Sequence, residues 1–112
     1  MTQEELYEAL SGVCSNVAYR LFKGPVDPPF ICYLFTVSGD LFADDTNYVP
    51  IPGFDVELYT EDKDPELELD VEEALRGLGV AWAKNETYIA TEKLLEVVYS
   101  IELVSTLGEE LS

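Results

Sequence analysis

Residues 54–79 constrain the fold most, because the hydrophobic period changes there from that of a strand to that of a helix. Phe54-Asp55-Val56-Glu57-Leu58-Tyr59 alternates apolar and acidic positions, as a strand with one buried face requires. Thr60-Glu61-Asp62-Lys63-Asp64-Pro65 breaks that alternation. From Leu67 onward, Leu67, Val71, Ala74, Leu75 and Leu78 fall on one helical stripe. Asp64 is placed to cap the helix, and Pro65 suits its first turn, where a missing N–H costs nothing. Glu66 and Glu68 lie where the helix dipole favours negative charge, Arg76 lies in the last turn, and Gly79 is placed to end the helix with positive φ. A strand followed by a helix folding back over the sheet is the core of a small α+β domain.

The charge limits what such a domain can bind. The chain of 112 residues has 23 acidic residues against six basic ones, a net charge of −17. Ten of the acidic residues lie between Asp55 and Glu73, with only Lys63 among them. Direct contact with a phosphate backbone needs clustered Lys and Arg, so nucleic-acid binding is not expected, nor is attraction to an anionic membrane. Solubility is one reading of the acidity. A surface that repels DNA, or imitates it, is the other. An apolar fraction of 47% still argues for a folded core. Met1-Thr2-Gln3-Glu4-Glu5 does not read as a signal peptide, and no stretch has the length of a membrane span. Cys14 and Cys32 are expected as packed free thiols of a cytosolic protein, with a disulfide between them as the less favoured alternative.

Thr2 and Glu5 form a capping box, and Leu6, Ala9, Leu10 and Val13 follow helical spacing, so a short helix ends near Ser11 and Gly12. A first strand is expected over residues 17–22, with Val17, Tyr19 and Leu21 on one face. Residues 23–29 hold three prolines and one glycine and read as a stiff loop without chemistry. Residues 30–37 are apolar on both faces, which predicts a central strand covered on both sides. Two small helices cover one face, so the other calls for a second cover such as a neighbouring subunit.

The connection from Ser38 to Phe54 is apolar for a loop. Two short strands flanking a turn at Asp44-Asp45-Thr46-Asn47 give a hairpin, either inside the sheet or projecting as an arm that docks on another subunit. Leu41, Phe42, Tyr48, Val49 and Ile51 are the expected interface residues. Further on, residues 80–84 read as a strand, Asn85-Glu86-Thr87 as a turn or bulge, and Tyr88-Ile89 as extended chain. Leu95, Val97, Tyr99, Ile101 and Leu103 alternate with polar positions as the clearest strand. The expected fold is α+β: a small, mostly antiparallel sheet with two helices on one face and a projecting β-hairpin arm. It occupies residues 1–104 as one domain, followed by an acidic, frayed tail over 105–112.

Chemistry is sparse. Histidine is absent, which removes Ser-His and Cys-His nucleophile pairs and His-liganded zinc. Neither a Walker-type nor a dinucleotide-binding glycine motif occurs. Asp44-Asp45 and Glu61-Asp62-Lys63-Asp64 lack the ligand order of a calcium loop. No catalytic residue, metal or cofactor is expected, and the chain does not read as an enzyme. The strand tyrosines read as sheet packing.

Several segments resemble small tail and neck proteins of tailed bacteriophages and prophages of Gram-positive hosts. They are Met1-Thr2-Gln3-Glu4-Glu5-Leu6-Tyr7, Val17-Ala18-Tyr19 with Phe22, Pro28-Pro29-Phe30-Ile31-Cys32-Tyr33-Leu34, Asp55-Val56-Glu57-Leu58-Tyr59-Thr60-Glu61-Asp62-Lys63-Asp64, Glu86-Thr87-Tyr88-Ile89 and Glu92-Lys93-Leu94-Leu95-Glu96-Val97-Val98-Tyr99. The resemblance runs to about Leu103 and rests on order and spacing rather than on a catalytic signature. It implies a tail terminator or tail completion protein. Such a protein is made in the bacterial cytoplasm and built into the virion as a ring, often a hexamer. The ring stops the tail tube and joins it to head-connector proteins, with DNA passing through the lumen unbound. It implies no enzymatic activity. Six copies would carry about 102 negative charges, six times 17, so assembly is expected to strengthen with salt or divalent cations. Two other readings stand beside it: an acidic inhibitor that mimics DNA, and a plain adaptor domain.

Overall fold

The computed structural model describes residues 2–42 and 48–103, with side chains for 2–37 and 52–103. The elements run α1 (Gln3–Ser11), β1 (Val17–Tyr19), β2 (Phe30–Phe42), β3 (Tyr48–Thr60), α2 (Pro65–Gly77), β4 (Trp82–Ile89) and β5 (Leu94–Glu102). They form one five-stranded sheet in the order β1-β2-β3-β5-β4. Only β1 runs parallel to its neighbour; the other pairings are antiparallel. The α+β class is therefore as expected.

Both helices begin and end where local chemistry dictates. Thr2 Oγ1 accepts from the Glu5 N–H at 3.1 Å, while Glu5 Oε1 accepts from the Thr2 N–H at 2.8 Å, a reciprocal cap that satisfies two orphan donors. Asp64 Oδ1 accepts from the Leu67 N–H at 3.1 Å. Gly79 follows α2 with φ of 76°, a conformation that costs a residue with a side chain more. Leu6 and Leu10 of α1 and Val71 and Leu75 of α2 are fully buried. They belong to a single cluster with Ile31 and Tyr33 of β2, Val56 and Leu58 of β3, and Val97 and Tyr99 of β5. Burial of each large aliphatic side chain contributes about 1.5–3 kcal/mol, so this layer dominates stability.

The register explains why these residues share a face. Ile31 opposes Leu58 and Leu58 opposes Val97; Tyr33 opposes Val56 and Val56 opposes Tyr99. The alternate positions, among them Phe30, Cys32, Glu57, Tyr59, Glu96 and Val98, point away from the helices.

The structure corrects four local expectations. β1 stops at Tyr19, because Arg20 adopts φ of 70° and the Leu21 N–H turns back to the Tyr19 carbonyl at 2.9 Å; Leu21 is then 71% exposed. Residues 85–87 are neither turn nor bulge: Asn85, Glu86 and Thr87 pair with Val98, Val97 and Glu96 in unbroken register. This edge strand is polar because most of it faces solvent, so it lacks the alternation that marks a strand. The two short strands expected between Ser38 and Phe54 are not separate elements but continuations of β2 and β3. Finally, β2 is next to the edge rather than central. Its second face is covered in part by the chain's own proline-rich loop. The expected turn at 44–47 and the acidic tail at 105–112 lie outside the described residues.

Candidate assembly interface

The hairpin arm arises from a mismatch in strand length. β2 and β3 are each 13 residues long. Pairing of β1 to β2 ends at Tyr33, and pairing of β5 to β3 ends at Gly53 opposite Glu102. Beyond that point the strand pairing among the described residues is between β2 and β3, through Val37 and Pro52, Ser38 and Ile51, Leu41 and Val49, and Phe42 and Tyr48. A two-stranded ribbon thus projects from the sheet, and the molecule is elongated, 45 × 29 × 27 Å. All five expected interface residues, Leu41, Phe42, Tyr48, Val49 and Ile51, sit on this ribbon; their side chains lie outside the described part. At its root, Phe35 and Val37 are 43% and 57% exposed. The Leu103 N–H ties the ribbon to the body by donating to the Pro52 carbonyl at 2.8 Å. Gly53 allows this crossing: a Cβ there would lie 2.0 Å from the Ile101 carbonyl oxygen.

At the opposite end of the same hairpin lies a cleft of about 700 Å³. Its floor is Phe30, Cys32, Tyr59 and Leu94 on the helix-free face, and its wall is the loop that carries Phe22, Gly24 and Pro25. Phe30 stacks on Tyr59 with ring centroids 4.8 Å apart and meets Phe22 edge-on at 5.7 Å. The sequence offered only a stiff loop here. The signal was two phenylalanines bracketing the prolines, which allows the loop to fold back on its own strand.

Charge is unevenly placed around this cleft. Of the six cations, Lys63 and Lys84 are held in ion pairs and Arg76 lies over the Trp82 ring at 5.7 Å. Arg20 and Lys93 line the cleft, and Lys23 lies in its wall loop. None of these three forms an ion pair among the described residues. Further along the open face, Asp55, Glu57 and Glu96 form an acidic stripe. The Tyr59 hydroxyl donates toward Glu96 Oε2 at 2.7 Å and lies 3.2 Å from Glu57 Oε1. Burial pushes the Glu57 carboxyl above its ordinary value; the Tyr59 hydroxyl opposes this, and Glu96 and Asp55 add to it. Burial and both carboxylates push the Tyr59 phenol far up. Burial, then Glu57, raises the Cys32 thiol, and both cysteines are free.

A second charged group clamps α2 to the sheet. Glu68 is 3% exposed. Its carboxylate meets Lys63 at 2.9 Å and Lys84 of β4 at 2.8 Å. Lys84 also holds Glu72 at 2.8 Å, and Lys63 holds Glu86. The Tyr99 hydroxyl donates to Glu72 Oε2 at 2.9 Å from within the core. Among the described residues no group of acidic, Cys or His side chains is arranged to hold a metal ion. No helix among them is long and apolar enough to cross a membrane.

No family model matches the chain, and no curated protein matches it in sequence. Among solved structures it is similar to a chain from the virion of a native gene transfer agent particle. The TM-score is 0.58 at 9% identity, covering 87% of this chain and 88% of that one. At that identity the likeness establishes a shared fold.

Proposed function

We propose that this chain is a structural subunit of a phage-type virion, and that it acts at the tail or neck as a ring that closes the tail tube and joins it to the head. The observation that carries the reading is the shared fold with a virion chain over nearly the full length of both. The ribbon supports it: a two-stranded projection with an apolar root needs a partner to cover it. The segment resemblance supports the finer placement at the tail. The role is structural rather than catalytic. A ring needs a heterologous interface, in which two different patches meet head to tail. Ribbon and helix-free sheet face are the two patches, and the strong acidity leaves the lumen non-adhesive to DNA.

Light scattering at low salt, at high salt and with magnesium tests this, alone and with the tail-tube protein. A discrete hexamer, or a concentration-dependent shift towards one, is expected, with assembly strengthened as salt screens the repulsion between subunits. A strict monomer in every condition, with or without tube protein, refutes the reading. Dissociation on adding salt refutes its account of the charge.

A further inference from the structure

We propose that the cleft under the proline-rich loop receives the ribbon of a second copy of this chain. The proposal rests on the assembly reading above and names the contact that builds the ring.

Three observations converge on that occupant. The first is position. Phe30 and Tyr59, which floor the cleft, are paired at one end of the β2–β3 hairpin, and Phe42 and Tyr48 are paired at the other. With about 3.3 Å per residue along a strand, the two ends are roughly 40 Å apart. A chain therefore cannot fill its own cleft with its own ribbon, but it can fill its neighbour's. Each copy has one donor end and one acceptor end, the heterologous arrangement that closes into a ring. The second is charge. From Asp40 to Ile51 the sequence carries three aspartates and no cation. Arg20 and Lys93 line the cleft, and Lys23 lies beside it. Glu61 and Glu92 share the lining, so the cleft is close to neutral in a chain of charge −17. It therefore repels an acidic ribbon less than the stripe of Asp55, Glu57 and Glu96 does. The third is chemistry. The ribbon carries Leu41, Phe42, Tyr48 and Val49, and the cleft offers the aromatic and aliphatic floor of Phe30, Tyr59 and Leu94. Its volume of about 700 Å³ lies within the range of sites that enclose a small organic ligand, and hence a few side chains of a strand pair.

Two variants of the full chain test the contact. Gly24→Trp puts an indole on the cleft wall without changing charge, and nothing lies within 4 Å of a Cβ at Gly24, so the substitution starts without a clash. Phe42→Ser with Tyr48→Ser strips the ribbon and leaves the cleft intact. Each variant alone is expected to self-associate at least about 30-fold more weakly than the unmodified chain, the loss typical of a central aromatic anchor. Mixed in equal amounts, they are expected to form a one-to-one pair and stop there, because only one ribbon and one cleft remain functional. As an independent variant, Arg20→Asn with Lys93→Asn removes the two cations with a residue that tolerates the positive φ at both sites. It is expected to weaken association roughly tenfold through two lost rim pairs.

Undiminished assembly of Gly24→Trp overturns the cleft assignment while the ring reading stands. So does a mixture of the two variants that stays monomeric when the unmodified chain assembles. If Gly24→Trp self-associates normally and loses only its binding to tube protein, the cleft belongs to another virion protein and the proposal is wrong. An unmodified chain that is monomeric in every condition overturns this proposal together with the assembly reading.

Discussion

Glu68→Gln is expected to destabilise the chain by about 1–2 kcal/mol at neutral pH. The carboxylate is 3% exposed, and its bond to Lys84 is 2.8 Å long. A hydrogen bond to a charged group contributes about 1.5–3 kcal/mol when fully enclosed. The Lys84 side chain is 37% exposed, so solvent screening takes roughly half of that away. The loss of about 3–5 kcal/mol that follows when a buried ion is orphaned does not arise, since Lys84 keeps Glu72. Lys63 likewise keeps Glu86. For a chain of this length the change lowers Tm by about 4–10 °C. Its pH dependence gives the sharper test. Burial pushes the Glu68 carboxyl up, but Lys84 and Lys63 outweigh it and hold the group below its ordinary value. A carboxylate with a depressed pKa stabilises fully above the unfolded value, about 4.3, and stops doing so as pH falls through its folded value. The gap between the variant and the unmodified chain is therefore full at pH 7 and closes as pH falls from the unfolded value through the lower folded one. Urea unfolding followed by Trp82 fluorescence at both pH values, with unchanged m, measures it. No gap at pH 7, or an equal gap at pH 3, would refute the reasoning.

Gly53→Ala places a Cβ 2.0 Å from a backbone carbonyl that cannot rotate away; a loss of about 1–3 kcal/mol in urea unfolding is expected, and a neutral result would show that β3 and β5 separate freely there. Asp64→Ala removes the cap on the Leu67 N–H and is expected to cost about 1 kcal/mol, read by thermal unfolding. Tyr59→Phe removes the hydroxyl that lowers the Glu57 carboxyl. Its pKa should rise further, read from carboxyl carbon shifts across a pH titration, and an unchanged value would refute the contact.

Where local chemistry fixed the outcome, the sequence was readable. The α2 helix announced itself through Asp64, Pro65 and Gly79, and β5 through strict alternation, and both lie as expected. By its sequence position Glu68 reads only as one more acidic residue in the first turn, favoured by the helix dipole. Its spacing from Val71 and Leu75 places it on the buried stripe, where an acid must have partners; one of them, Lys84, comes from β4, outside the local pattern. The middle of the strand at 82–89 does not read as a strand, because an edge strand owes its existence to pairing with β5 rather than to its own composition. Ser38-Gly39-Asp40 looked like the start of a connection. An irregularity in pairing between Ser38 and Leu41 instead lets β2 continue through it. The cleft was invisible for a simpler reason: a strand face and a loop wall make it, and no periodicity encodes how a loop folds back.

The ribbon also carries a parity rule. Past Gly53, the strand pairing among the described residues is between β2 and β3. Trimming one residue from each would flip every outward side chain beyond the cut to the reverse face. Trimming two from each would restore the faces and shorten the reach by about 6.7 Å. The distance from body to tip can therefore change only in steps of that size while the same side chains are presented to the same side. Chains of this architecture can then vary their span by discrete increments, leaving sheet and helices untouched.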